Sequence, residues 1–171
     1  HLIGEAAALF TAGVLFRELP RAEAWLEFGL STLIHEMQTQ VFRDGVYGER
    51  SSYYHCYATD FYLHVLALAQ ANRISFPESV WGRFSRMLDF VMHITHSDGT
   101  IARFGDDDGG RVLGIASQNY ASYRDGLCAG SVLLGRSDLK YQAGGFCEES
   151  LWLLGIESNA TFESLVIRPP A

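Results

Sequence analysis

The sequence is short of prolines, has no CxxC pair, carries little charge and contains no long uninterrupted apolar run, and each shortage narrows what the chain can be. Its helix-like stretches are broken by His, Glu or Arg before reaching the roughly 20 apolar residues a membrane span needs. Charged residues make up 19% and hydrophobic residues 48%. That excludes a disordered or charge-laced coiled-coil chain and leaves enough apolar surface for one sizeable core. Asp and Glu outnumber Lys and Arg to give a net charge of −7, so no basic face is expected and nucleic acid is excluded as a partner. The three cysteines, Cys56, Cys128 and Cys147, leave an odd thiol in any pairing. Buried reduced thiols are therefore expected, and the redox compartment stays open. No signal-peptide pattern stands at the start, and the chain opens on His1 instead of methionine, so it reads as a fragment.

What is present is a series of apolar stripes at helical spacing. Leu2, Ala6, Leu9, Phe10, Gly13 and Leu15 predict a helix over 1–18, stopped by Pro20. Trp25, Leu26, Leu30, Leu33, Ile34, Met37 and Val41 predict a second over 22–42, ended by Asp44-Gly45. A third is expected over 53–71, and a fourth opens near Pro77 and runs to about Ile94. Asp98-Gly99 then follows Asp44-Gly45 by 54 residues, and each closes a unit of helix, turn, longer helix and Asp-Gly loop. Repeating units of that length suit stacked hairpins, because one hairpin cannot bury its own apolar face. Further helices are predicted over 119–134 and 148–154. The tail 161–167 is strand-like in composition, and Arg168-Pro169-Pro170 reads as a linker. The expected fold is all-α: helical hairpins arranged as an arc or toroid, with a short strand-like or linker tail.

Three polar constellations interrupt the apolar pattern. His1 and Glu5 stand four apart, on one face of a helix, either lining a cleft or solvated at a helix start. Glu49-Arg-Ser-Ser-Tyr-Tyr-His55 lies at a loop-to-helix junction where Ser51 or Ser52 can cap the helix. A tyrosine beside a histidine and a carboxylate is a proton-transfer group or, equally, an aromatic anchor. Arg103-Phe-Gly-Asp-Asp-Asp-Gly-Gly-Arg111 is a glycine-flanked acidic loop that lacks the closing Glu of an EF-hand and otherwise reads as a solvated turn. Arg50, Arg103, Arg111 and Arg124 lie in or near these loops and are expected to line a cleft, the alternative being that they offset the acidic run Asp106 to Asp108. His93, His96 and Asp98 have metal-ligand spacing but read as structural or solvated groups, as do His35 and His64. Asn159-Ala-Thr161 matches a glycosylation sequon, which matters only in a eukaryotic secretory context.

Taken in order, these segments resemble the heparinase II/III-like polysaccharide lyases. His1 with Glu5 and the Ala-rich helix resembles that family's "Asn-His…Glu-Ala" helix. Asp44-Gly45 followed by Glu49-x-Ser-x-x-Tyr54-His55 is similar to its "Asp-Gly…Glu-x-Ser-x-x-Tyr-His" segment. Gly105-Asp106-x-Asp108-x-Gly110-Arg111 looks like its "Gly-Asp-x-Asp-x-Gly-Arg" loop, and Glu148 to Gly155 like its closing helix.

The resemblance implies an (α/α) toroid over 1–160 and a linker over 161–171 leading to an antiparallel β-sheet domain outside this chain. It implies β-elimination on uronic-acid polysaccharides, with Tyr54 as Brønsted acid, its service as base also being left open, and His1 at the uronate. Glu5, Glu49, His55, Arg103, Asp106, Asp108 and Arg111 are the expected substrate-binding residues. The family's Asn would precede His1, and a further histidine and a structural zinc would belong to the β domain; no cofactor is expected in this chain. The implied partner is an acidic polysaccharide, with no nucleic acid or membrane. The isolated fragment is expected to self-associate and to lack activity. A periplasmic or secreted location is the expectation, the cytoplasm being left open. Two other readings stay open from the residues: a toroid hydrolase using carboxylates such as Glu5, Glu49 or Asp106, and a helical scaffold that binds along its concave face.

Overall fold

The apolar stripes build eight helices among the described residues, 1–112 and 121–170 of this computed structural model. They are α1 (Leu2–Leu15), α2 (Ala22–Thr39), α3 (Ser52–Ala71), α4 (Glu78–Ile94), α5 (Arg124–Leu134), α6 (Ser137–Ala143), α7 (Glu148–Leu154) and α8 (Glu157–Ser164). No described residue belongs to a strand beyond isolated bridges, and no described helix is long and apolar enough to cross a membrane. The described helices pack as hairpins, as the repeat pattern predicts.

The hairpin α1–α2 packs backbone to backbone. A Cβ at Gly13 would lie 2.6 Å from the Ala22 carbonyl oxygen, and one at Gly29 would lie 2.6 Å from the Phe10 amide nitrogen. Only a residue without a side chain permits that approach. α3 runs through the middle, packed on α1, α4, α5 and α7. Its Tyr62, Leu63, Val65 and Leu66 are buried, and the Tyr62 hydroxyl donates to the Leu33 carbonyl of α2 at 3.0 Å. α4 presents Val80, Phe84, Met87, Leu88 and Val91, all fully buried. Each such side chain contributes about 1.5–3 kcal/mol by leaving water.

The two Asp-Gly loops repeat atom for atom. In the first, Val46 N–H donates to Asp44 Oδ1 (3.1 Å), Phe42 N–H to the Val46 carbonyl (2.9 Å), and Gly48 N–H to the Gln40 carbonyl (2.8 Å). In the second, Thr100 N–H donates to Asp98 Oδ1 (2.9 Å), His96 N–H to the Thr100 carbonyl (2.7 Å), and Ala102 N–H to the Ile94 carbonyl (2.9 Å). Gly45 and Gly99 sit at φ +95 and +88, where a side chain would be strained. The Asp98 carboxylate is therefore spent on its own turn, and the His93 ring bonds the Asp89 carbonyl. Among the described residues no group of three or more His, Cys, Asp or Glu is placed to hold a metal ion.

The C-terminal quarter departs from the sequence expectation. The helix predicted from residue 119 begins at Arg124, its first two positions lying outside the described residues. α6 and α8 are additional. The strand-like tail is helical through Ser164, so a boundary at residue 160 falls inside α8. Two contacts hold it: Phe162 is buried, and the Lys140 ammonium donates to the carbonyls of Phe162 (2.7 Å), Glu163 (3.2 Å) and Leu165 (3.0 Å). A cation on the orphan carbonyls of a helix end overrides weak local propensity. The sequon Asn159-Ala-Thr161 lies within that helix, and residues 165–170 carry no regular structure.

The glycine seam gives a direct test. Gly29→Ala forces α1 and α2 apart and should cost about 1–3 kcal/mol. Gly82→Ala, whose Cβ meets nothing closer than Arg86 Nη1 at 3.8 Å, should be neutral or slightly stabilising. Urea unfolding of the two variants beside the parent chain checks the contrast; equal midpoints would contradict the seam.

Candidate active site

The site is assembled at the start of α3. Ser51, in extended conformation, accepts a hydrogen bond from Tyr54 N–H at 3.3 Å and so caps the helix. The same hydroxyl donates to the Asp106 carbonyl at 2.5 Å. Ser52 N–H donates to the Phe104 carbonyl (3.0 Å), and Phe104 N–H donates to Ser52 Oγ (3.1 Å). The Tyr53 hydroxyl donates to the Gly110 carbonyl. The acidic loop is thus stitched across the helix start. Gly105 makes the closeness feasible: at φ +75, its Cβ would lie 2.8 Å from Ser51 Cα. Arg50, just before the cap, sits at φ +56, a conformation few side chains adopt.

Between α1, the first Asp-Gly loop and α3 lies a cleft of about 360 Å³. His1, Gly4 and Glu5 line it from α1, Tyr47 and Glu49 from the loop, Tyr54, Tyr57 and Phe61 from α3, and Asp108 from the acidic loop. The Phe61 ring reaches 3.0 Å from where a Gly4 Cβ would stand, closing the cleft between α1 and α3. Tyr53 stacks on Tyr57 (6.0 Å between centroids), and Tyr57 meets Phe61 at a tilt of 55° (4.9 Å), an aromatic row at helical spacing. The Tyr54 hydroxyl donates to Asp108 Oδ2 at 2.5 Å, and that bond pushes its pKa up to about 12. At neutral pH the phenol is protonated and available as an acid. The Tyr47 hydroxyl bonds Gln40 (2.9 Å) and Glu49 (3.2 Å), and burial first, then Glu49, pushes its pKa up as well.

The segment that builds this cleft falls within the reach of a known family. Its sequence profile, described as Heparinase II/III N-terminus, matches residues 1–126. The chain belongs to the heparinase II/III family.

A heparin-sulfate lyase of Bacteroides thetaiotaomicron is 35% identical over 132 residues, covering 71% of this chain and 19% of that protein. One from Pedobacter heparinus is 33% identical over 110 residues, covering 62% and 16%. The crystal structure of heparinase III superposes with a TM-score of 0.67 at 28% identity, over 83% of this chain and 22% of that one. Heparan sulfate lyase HepC from Pedobacter heparinus superposes at 0.65 and, at 24% identity, speaks for the fold alone. The chain spans about a fifth of the length of these heparinase relatives.

Of the family-motif residues, the structure brings His1, Glu5, Glu49, Tyr54 and Asp108 to one cleft. Four others lie elsewhere. His55 is buried: Tyr47 N–H donates to its Nδ1 (3.1 Å) and its Nε2 bonds the Met87 carbonyl (3.0 Å), with the ring 4.6 Å from Phe90. It ties the loop to α4 and faces no cleft, because consecutive helix positions point about 100° apart. Arg111 is also inside, its Nε 3.1 Å from Asp60 Oδ2, its Nη2 4.0 Å from Glu149 and its guanidinium 5.2 Å over the Tyr123 ring. A buried carboxylate pair needs that cation more than solvent does. Arg103 pairs with Asp107 at 3.5 Å in the open, and Asp106 contributes its carbonyl to Ser51, both outside the main cleft. The expectation that arginines line the cleft is therefore corrected: Arg50, Arg103, Arg111 and Arg124 are all absent from its walls, and Arg124 donates to the Ser97 carbonyl. Spacing gave no signal for Tyr47, Tyr57 and Phe61; their helical or loop register places them.

Burial lowers the His55 pKa to about 4, and that of His64 likewise to about 4. Both folded values lie below the ordinary 6.5, so the unfolded chain takes up protons first as pH falls. The stability they confer is complete above about pH 6.5 and is lost on descent toward pH 4. For His55 the loss is on the order of 3 kcal/mol. Urea unfolding at several pH values should show a steeper decline for the parent chain than for His55→Asn; parallel curves would refute the assignment.

Proposed function

We propose that this chain supplies the helical wall of an active site that cleaves a glycosaminoglycan of the heparin-sulfate type by β-elimination. The observation that carries the reading is the cleft in which a protonated, reachable Tyr54 hydroxyl shares walls with His1 and Glu49, in a chain related to heparin-sulfate lyases.

The chemistry fits those groups. The bond from hydrogen to the carbon beside the uronate carboxylate breaks, and its electron pair forms a double bond to the next carbon as the glycosidic carbon–oxygen bond there breaks. Removing that proton loads negative charge onto the carboxylate, so a donor such as His1, able to neutralise it or take the proton, lowers the barrier. The departing oxygen takes a proton, and Tyr54, a protonated phenol at the exposed side of the cleft, can give it. The Tyr57–Phe61 row offers apolar faces to a sugar ring. On this reading the remaining groups belong to other parts of the enzyme, an Asn before His1 and a histidine in a β domain beyond α8, and the enzyme acts in the periplasm or outside the cell, where such polymers are met.

The cleft's carboxylates, Glu5, Glu49 and Asp108, also suit a hydrolase, in which one carboxyl protonates the leaving oxygen and another activates water. The product separates the two. The full-length enzyme should yield an unsaturated, ultraviolet-absorbing sugar end, and Tyr54→Phe should lower turnover by about 10²–10⁴-fold with the fold intact. Cleavage without that absorbance, or near-normal turnover of Tyr54→Phe, would overturn the lyase reading.

A further inference from the structure

The acidic loop carries three consecutive aspartates, and the structure gives each a different task. Asp106 acts through its main chain, accepting from Ser51 Oγ. Asp107 turns inward on the loop, its Oδ1 accepting from Gly109 N–H at 2.9 Å and its Oδ2 lying 3.5 Å from Arg103. Asp108 alone of the three lines the cleft, and its Oδ2 receives the Tyr54 hydroxyl. The arm that holds Asp108 there is fixed by the bonds from Ser51, Ser52 and Tyr53, and by Gly105 pressed on the Ser51 backbone.

We propose that Asp108 is the positioning residue for Tyr54, holding the phenol oxygen in one place in the cleft and protonated in the free enzyme; as the glycosidic bond breaks, the O–H turns from Asp108 to the departing oxygen and gives it the proton, so that Tyr54 serves as the acid and another group as the base. The inference rests on the lyase reading above. A free phenol rotates about its C–O bond; one bound to a fixed carboxylate presents its oxygen in a single place. The charged and titratable groups around Tyr54 come from every wall: Asp106 and Asp108 from the loop, Glu49 before α3, His1 and Glu5 from α1, and Tyr47, Tyr53 and Tyr57 beside it. Asp108, Asp106 and Glu49 among them repel a tyrosinate, so the acidic loop and the segment before α3 disfavour the ionised form that a base would require. With the pKa pushed up to about 12, roughly one phenol in ten thousand is ionised at pH 8.

The test uses the full-length enzyme and follows kcat and KM against pH, together with tyrosinate absorbance corrected by the Tyr54→Phe spectrum. Asp108→Asn keeps an acceptor but loses the charge: its Tyr54 should ionise one to two pH units lower, the alkaline limb of kcat should move down with it, and kcat should fall. Asp108→Ala loses both and should fall further, by about 10–100-fold in kcat. Asp107→Asn loosens the loop without touching Tyr54, and should leave the alkaline limb in place; this guards against a general loss of loop structure. Unchanged titration and kcat in Asp108→Asn, or an effect confined to a lower KM as expected of a merely repulsive wall, would overturn the proposal. Tyr54→Phe separates the two failures: if it stays active the lyase reading falls, and if it is inactive while the Asp108 variants behave as wild type, only the positioning role falls.

Discussion

Five consecutive residues at the start of α3 hold the site together. Ser51 spends one hydroxyl twice, accepting from the helix it caps and donating to the acidic loop. Ser52 forms the second pair of stitches to that loop, and His55, one turn on, fastens the preceding loop to α4 through both ring nitrogens. Tyr54 stands among these fixed neighbours with its hydroxyl toward the cleft. A reactive group placed on a helix and braced from two loops keeps the precision that proton transfer requires. If this clasp opened, the cleft would lose a wall and Tyr54 its partner at once.

The clasp is possible because the fold repeats. The two Asp-Gly loops share one hydrogen-bond pattern 54 residues apart, so each hairpin returns its chain to the same end of the helices. The first loop delivers Glu49 and Tyr47, the second leads into the segment carrying Asp108. Beneath them, Arg111 leaves the acidic loop for the interior and binds Asp60 and, more loosely, Glu149 beside Tyr123, linking α3, α5 and α7. One segment therefore has two ends, one in the cleft and one in the core.

Much of this was legible in the sequence, for a physical reason: long helices with buried faces write their period into the chain. α1 to α4 and α7 follow their stripes to within a few residues. α6 and α8 were not legible, since both are short and α8 depends on Lys140 reaching its C-terminal carbonyls from another helix. At the site, His1 with Glu5 was readable because four residues on a helix return to one face. Tyr54 and His55 were not separable by spacing, since neighbours on a helix diverge and only packing decides which one meets solvent. Arg111 was misread for the same reason: a charge in a polar loop looks exposed until the buried Asp60 across from it is known.

On the proposed lyase reading, the leaving oxygen of a uronate-containing chain meets Tyr54 in the cleft between α1 and α3. The most direct measurement is a crystal structure of the full-length enzyme, inactivated by Tyr54→Phe, with an uncleaved heparin-sulfate oligosaccharide. The scissile glycosidic oxygen should lie over the edge of the substituted ring, within about 3 Å of where the Tyr54 hydroxyl would be. The uronate carboxylate should point toward His1, with Asp108 still on its loop beside them. An oligosaccharide bound away from this cleft, or one that places the scissile oxygen against Glu5 and Glu49 instead, would contradict that reading.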